Sequence, residues 1–195
     1  MNFCSSCSGR IDIKVPGDDD HLRFVCSDCG TVHYQNPKIV TGCLPVWQDS
    51  VLLCRRAIEP RSGHWTVPAG FMVLDETVMQ GAIRETWEEA RAKVEILAPY
   101  CMFNLLHVNQ LYIIYRAQLV DLTFRPGPES EDVKLFREED IPWEHLAFTS
   151  VQQTLRFFFK DRPDGRFPMR SGTIISQETG FRFEAEPDDQ LISVG

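Results

Sequence analysis

The chain has 195 residues, 43% hydrophobic and 25% charged, with a net charge of −8. This is long enough for one full core and a small appended module, and the negative balance argues against general affinity for nucleic acid phosphates or anionic membranes. No apolar run approaches the roughly 20 residues of a bilayer span, and the start, MNFCSSCSGR, lacks the charged-then-apolar pattern of a secretory signal, so a cytoplasmic protein is expected.

Residues 1–35 hold two Cys-x-x-Cys pairs, Cys4/Cys7 and Cys26/Cys29, with eighteen residues between them. Seven cysteines in a reducing compartment do not make a disulfide framework, and this spacing is that of a four-thiolate zinc site. Four thiolates close a tetrahedron with no open position, so the Zn2+ is expected to be structural. Between the pairs, Ile11 to Phe24 carries a Pro16-Gly17 turn and the acidic run Asp18-Asp19-Asp20. Short alternating segments on either side predict a hairpin, hence a zinc ribbon. So short a module depends on its metal for much of its stability. Redox chemistry at one pair is the lesser alternative. Aspartates outnumber the basic residues Arg10, Lys14 and Arg23 here, which gives nucleic acid binding little support. Cys43, Cys54 and Cys101 lie in apolar runs and read as buried thiols.

Asn36-Pro37 marks the boundary of a second domain, residues 36–162. Lys38 to Trp47 and Val51 to Cys54, joined by the polar turn Gln48-Asp49-Ser50, predict a hairpin. Arg55 and Arg56 would point to opposite faces of a continuing strand. One of them could meet a ligand phosphate; solvated surface is the plainer reading. The loop Glu59 to His64 leads into Trp65-Thr66-Val67-Pro68-Ala69-Gly70, where glycine permits close approach of the main chain to a ligand or metal. His64 has no partner in sequence and takes no role.

The stretch from Gly70 to Ala92 organises the rest. Thr77-x-x-Gln80 has the form of a capping box, which starts a helix near Thr77. At 100° per residue Met79, Ile83, Thr86, Trp87 and Ala90 share one arc, expected to face the core. Glu85, Glu88 and Glu89 fall on the opposite side at i, i+3 and i+4, with Gly81 leaving room for something bulky beside them. An isolated acidic cluster reads first as a solvated helix face. Clustered hard oxygen donors also suit Mg2+ or Mn2+, which would offset their repulsion, bridge phosphate oxygens and acidify a water.

The run Gly70-x5-Glu76-x7-Arg84-Glu85-Thr86-x-Glu88-Glu89 resembles the Nudix box, the signature of hydrolases that act on nucleoside diphosphates linked to another group. The resemblance implies an α/β/α sandwich around a mixed sheet, preceded here by the four-cysteine zinc ribbon. It implies metal ligation by Glu88, Glu89 and the Gly70 carbonyl, with Glu85 as ligand or base and with Arg84 and Glu76 steadying the loop. One position departs: where the family has glycine after the box, this chain has Arg91, which puts the helix end in question.

After the box, Lys93 to Met102 and His107 to Leu119 read as strands of the same sheet, the second covered on both faces. Phe103, Tyr112 and Tyr115 could stack on a base, although core packing is the commoner use. The loop Arg125 to Asp132 is turn-rich and acidic, and family members often draw a further carboxylate from such a loop. Glu129 is the first choice, with Glu131 and Asp132 as rivals and solvated loop charge as the alternative. Lys134 to Phe136 reads as a strand and Thr149 to Lys160 as an amphipathic closing helix. Residues 163–195 form an extension that either packs as a strand pair (Thr173 to Ile175 with Phe181 to Phe183) or is mobile.

A zinc ribbon ahead of a Nudix domain is an arrangement shared with NADH pyrophosphatases, and the resemblance covers roughly residues 1–160. Those enzymes carry a Ser-Gln-Pro-Trp-Pro-Phe-Pro-type motif downstream of the box, which Tyr100 to His107 lacks. The chain is more similar to zinc-ribbon Nudix proteins associated with ADP-ribose or FAD pyrophosphatase activity. The resemblance implies Mg2+-dependent hydrolysis of ADP-ribose or FAD to AMP and a second phosphate ester. NAD(H) or NAD-capped RNA is the alternative substrate. From a different class, a non-catalytic nucleotide sensor acting through the ribbon would be expected to have lost box carboxylates, and none is lost. The partner expected is a small nucleotide rather than nucleic acid or membrane; a homodimer stays open.

Overall fold

The structure is a computed structural model that describes residues 1–17, 19–177 and 180–186; Asp18 of the acidic run and the acidic end of the chain lie outside them. The chain divides into two units, Met1–Pro37 and Lys38–Gly195.

In the first unit, β1 (Ile11–Lys14), β2 (Arg23–Cys26) and β3 (Val32–His33) form an antiparallel sheet in the order β1-β2-β3. The predicted hairpin is present, with Ile11 opposite Cys26. Its closing turn is fastened by Arg23, whose Nε donates to Asp19 Oδ2 at 2.6 Å. The buried apolar side chains here are Cys4, Val25 and Cys26, too few to hold the fold without a crosslink or metal.

The second unit runs β4 (Lys38–Trp47), β5 (Ser50–Arg56), β6 (Trp65–Thr66), β7 (Ala69–Phe71), α1 (Val78–Ala90), β8 (Val94–Leu105), β9 (Gln110–Leu119), β10 (Ser130–Phe136), α2 (Thr149–Asp161), β11 (Arg170–Gln177) and β12 (Gly180–Ala185). Its sheet is mixed, ordered β10-β5-β4-β9-β8-β11-β12, with β6 beside β5 and β7 beside β4. The pairs β4/β9 and β8/β11 are parallel; the others are antiparallel.

Side chains alternate along β4 and so divide the two layers. Leu44 and Val46 join Leu155 and Phe158 of α2 in one core cluster, while Cys43 meets Ala82 of α1 and Ala117 in another. The helices therefore cover opposite faces, which is the α/β/α arrangement. Cys43, Cys54 and Cys101 are all buried.

Two boundaries differ from the sequence reading. β8 continues to Leu105, and β9 starts only at Gln110, after a 3-10 turn over Leu106–Val108 that Asn109 closes with φ 51°. The acidic loop gives way to β10 already at Ser130. After residue 162 the strand-pair alternative is the one formed among the described residues: β11 pairs in parallel with β8, Arg170 opposite Cys101, and antiparallel with β12, Ile174 opposite Phe183. A buried carboxylate locks this end, because Asp161 accepts from Tyr100 Oη at 2.8 Å and from Arg170. Among the described residues, no helix is long and apolar enough to cross a membrane.

Candidate functional site

Helix α1 starts as its capping box predicts. Thr77 Oγ1 accepts from the Gln80 N–H at 3.2 Å, and the Gln80 side chain accepts from the Thr77 N–H at 2.8 Å. It ends at Arg91, which adopts the left-handed conformation (φ 49°, ψ 27°) usually given to glycine and donates its N–H to Trp87 O. The expected core stripe holds for Thr86 and Ala90 but not for its three large residues. Met79, Ile83 and Trp87 are 45%, 38% and 43% exposed, while Gly81, Ala82, Glu85, Thr86, Glu89 and Ala90 are buried.

The cause is the closeness of the helix to β4. Thr41 Oγ1 donates to Val78 O at 2.9 Å, and a Cβ on Gly81 would stand 2.7 Å from Thr41 Cγ2 and 2.8 Å from Glu76 Oε1. Only small residues fit between helix and strand. The glycine makes room for the sheet and for Glu76, not for a guest beside Glu85 and Glu88.

Turning the helix this way drives two carboxylates inward. Glu85 lies against Gly70 of β7, where a Cβ would come within 2.3 Å of Glu85 Oε2. Arg84 ties the wall together: Nε and Nη2 donate to the Glu76 carboxylate at 3.0 and 2.8 Å, Nη1 to Glu85 at 2.6 Å and to Glu88 at 3.0 Å, and Nη2 to Phe71 O at 3.1 Å. Held by this guanidinium, Glu76 ionises at about 2. Burial pushes Glu85 up despite the same arginine. Glu89 goes further, to about 8, through burial and then the repulsion of Glu85. Among the described residues its carboxylate accepts from the Ala69 N–H, at 3.4 Å.

The acidic loop reaches this wall by capping α1. Arg125 and Gly127 donate their N–H groups to Ala90 O and Glu89 O at 2.9 and 2.8 Å, and a Cβ on Gly127 would stand 1.7 Å from Glu88 O. Glu129 follows two residues later, its carbonyl accepting from the Ala57 N–H at 2.8 Å. Its side chain repels both Glu85 and Glu89. The rivals point elsewhere: Glu131 pairs with Arg55 at 3.1 Å and Asp132 with Lys134 at 2.7 Å.

Gly70, Arg84, Glu85, Glu88, Glu89 and Glu129 thus line one cavity of about 560 Å3. Glu76 stands behind it on Arg84. The carboxylates of Glu85, Glu88 and Glu89 converge without closing into a group whose oxygens all lie within 4.8 Å. Sequence reasoning missed part of the lining. Arg56, not Arg55, faces in; burial raises the titration of Glu89 and Tyr112, and the Arg56 charge opposes that rise in both. Tyr112 is the aromatic of its trio at the cavity; Phe103 is in the core and Tyr115 packs on the α1 side. His107, Phe148 and Ser150 complete the far wall. The strand pairing that sorts the two arginines, and the docking of α2 that presents Phe148 and Ser150, are tertiary and leave no local signal. His64 lies outside this cavity, with Nδ1 3.2 Å from Ser62 O.

In the ribbon, the four Sγ atoms of Cys4, Cys7, Cys26 and Cys29 lie within 4.8 Å of one another, with Cys4–Cys29 at 3.7 Å and Cys7–Cys26 at 3.4 Å. A tetrahedron with Zn–S bonds of about 2.3 Å has edges near ~3.8 Å. Ser8 (φ 63°) and Gly30 (φ 72°) turn the chain after each pair, and the N–H groups of Ser6 and Gly9 donate to Cys4 and Cys7 Sγ at 3.4 Å. The cluster fits a structural zinc site.

The ribbon matches the Nudix N-terminal zinc-ribbon model over residues 2–35, and the NUDIX domain model matches residues 36–174. Among curated relatives, the chain is similar to the NAD-capped RNA hydrolase NudC of Vibrio cholerae serotype O1 (36% identity over 169 residues, 83% of this chain and 60% of the relative). It is also similar to the protein of that name from Vibrio vulnificus (29% over 162 residues, 80% and 59%). The chain spans about three-fifths of the length of these two relatives. Among solved structures, a Nudix hydrolase from Nitrosomonas europaea is 47% identical with a TM-score of 0.86, covering 89% of this chain and 99% of that one. An ADP-ribose pyrophosphatase from Streptococcus suis shares the fold at 19% identity and a TM-score of 0.56, covering 70% and 99%. With its box residues gathered on one cavity wall and both models matched in order, the chain belongs to the Nudix hydrolase family.

Proposed function

We propose that the protein hydrolyses the pyrophosphate bond of a nucleotide carrying a second group beyond its diphosphate, at the cavity lined by Glu85, Glu88, Glu89 and Glu129. One observation carries the reading: four carboxylates share a wall of one cavity, two of them on buried residues, with Arg56 also in the lining. Acids raised by burial and, secondly, by one another's charge fit a hard cation, and an all-oxygen set with little room fits Mg2+ or Mn2+. Glu85, Glu88, Glu89 and the Gly70 carbonyl would hold it, with Glu129 as the further acid. When bound, such an ion withdraws charge from phosphate oxygens and acidifies a water. Glu85, held by Arg84, would serve either as a ligand or as the base that takes a water proton. Arg56 supplies positive charge for the pyrophosphate.

For the substrate, the names of the curated relatives favour an NAD-linked pyrophosphate, free or at an RNA end. ADP-ribose or FAD is the second reading, favoured because Tyr100 to His107 lacks the NADH-pyrophosphatase motif. Turnover of NADH, NAD-capped RNA, ADP-ribose and FAD with Mg2+ tests both. Retention of wild-type rates by Glu88→Gln and Glu89→Gln would refute the metal site, and failure to cleave any of the four would refute the activity.

A further inference from the structure

A second cavity, of about 530 Å3, adjoins the first; Pro60, Leu105, His107, Phe148 and Ser150 line both. Each is the size of a small-molecule site. None of the box carboxylates lines the second, which has aromatic walls instead, among them Trp143, Phe148, His107 and Phe181. A pocket of two joined lobes, acidic in one and aromatic in the other, suits a molecule with phosphates at its centre and a flat ring at its end.

Phe181 is held there by its neighbour in the strand. Phe183, two residues on and therefore on the same face of β12, packs edge-on against Phe103 at 5.7 Å and Phe157 at 5.5 Å. Gly172 on β11 admits it, since a Cβ there would come within 2.3 Å of the Phe183 ring. Anchored this way, β12 presents Phe181 at the cavity, 46% exposed, with its ring 4.9 Å from that of His107. Phe181 lies beyond residue 174, where the NUDIX domain match ends.

The junction of the lobes is polar and unpartnered. Ser150 is 3% exposed and its Oγ has no hydrogen-bond partner among the described residues. It sits in the first turn of α2, whose N-cap, Phe148, offers no side-chain cap. Among the described residues the N–H groups of Thr149, Ser150 and Val151 find no acceptor, and such groups favour an anionic or polar guest.

We infer that the second lobe binds a planar aromatic ring of the substrate, stacked on the Phe181–His107 wall, while Ser150 and the first turn of α2 meet the sugar-phosphate that crosses the junction. The inference rests on the pyrophosphohydrolase reading for the location of the phosphates. It makes the β11–β12 hairpin a specificity element.

The test uses full-length Phe181→Ala, Phe181→Trp and His107→Ala with NADH, ADP-ribose and FAD, together with equilibrium binding of AMP and FMN followed for FMN by quenching of flavin fluorescence. For at least one ring-bearing substrate, Phe181→Ala should raise KM roughly tenfold or more with the loss confined to KM, as for one lost base–aromatic stack. Phe181→Trp should restore it. A loss seen with NADH and FAD but not ADP-ribose assigns the non-adenine ring to the lobe; a loss with all three assigns adenine. Changes below twofold in every KM and in AMP and FMN binding, for both alanine variants, overturn the inference. Wild-type protein that cleaves nothing yet binds AMP or FMN through Phe181 would refute the activity and leave the ring site standing.

Discussion

Gly70→Ala separates catalysis from stability more cleanly than any carboxylate substitution. The backbone at Gly70 is not in the left-handed region, so alanine is tolerated there, and lower unfolded-chain entropy is worth about 0.4–1 kcal/mol in its favour. The added Cβ would lie 2.3 Å from Glu85 Oε2 and 2.4 Å from its Cδ, where ordinary contact begins near 3.4 Å. The carboxylate must therefore retreat by about 1 Å, the difference between 3.4 and 2.3, and its 2.6 Å contact with Arg84 Nη1 must reorganise. A misplacement of about 1 Å costs on the order of 100-fold in rate, or ~2.7 kcal/mol of transition-state stabilisation. The carboxylate is the end of a flexible side chain, so the fold should give way cheaply. The expected result is a melting temperature within a few degrees of wild type and kcat/KM lowered about 100-fold at saturating Mg2+. Steady-state kinetics and a thermal melt on the same preparation measure both. Activity within threefold of wild type would show that the position of Glu85 does not govern the chemistry.

Glu129→Gln should lower kcat by roughly 10-fold or more, whereas Glu131→Gln and Asp132→Asn, whose partners are Arg55 and Lys134, should stay within twofold; equal losses in all three would remove Glu129 from the site. Glu89 titrates near 8 in the metal-free fold against 4.5 in the unfolded chain, so its contribution is full below 4.5 and is lost as pH rises through about 8. Metal-free Glu89→Gln should then gain on wild type between pH 5 and pH 9, by on the order of a few kcal/mol; urea melts with chelator present that show the same difference at both values would contradict the buried-acid account. A strong chelator should release one zinc per chain and abolish amide protection over β1 and β2, read by hydrogen exchange with metal analysis.

Local chemistry was legible wherever a short pattern carries a geometric requirement. The two Cys-x-x-Cys knuckles, the Thr77/Gln80 capping box and the hairpin through Gln48-Asp49-Ser50 each form where the sequence puts them. What depended on distant partners was not legible. Choosing Arg56 over Arg55 requires knowing that β10 lies beside β5 and brings Glu131 to Arg55. Choosing Glu129 over its rivals requires the fit of Gly127 onto the end of α1. The parallel pairing of β11 with β8 joins segments about 70 residues apart, which no local propensity encodes.

The misreading of α1 has a different origin. Hydrophobic periodicity assumes that the largest apolar residues go inside, yet here size decides. Between β4 and the helix there is room for Gly81, Ala82, Thr86 and Ala90, and none for Met79, Ile83 or Trp87. The close approach also carries Glu85 and Glu89 off the solvent face and into the cavity wall, beside Gly70 and Ala69. The two departures are one: a helix that exposes three large apolar side chains and buries two acids gives up stability to set carboxylates where water cannot screen them. Local rules fail most where chemistry opposes stability. Of the residues that broke the pattern, the two acids, Glu85 and Glu89, are the ones that line the cavity, so it is the buried charge rather than the exposed apolar face that points to the proposed site.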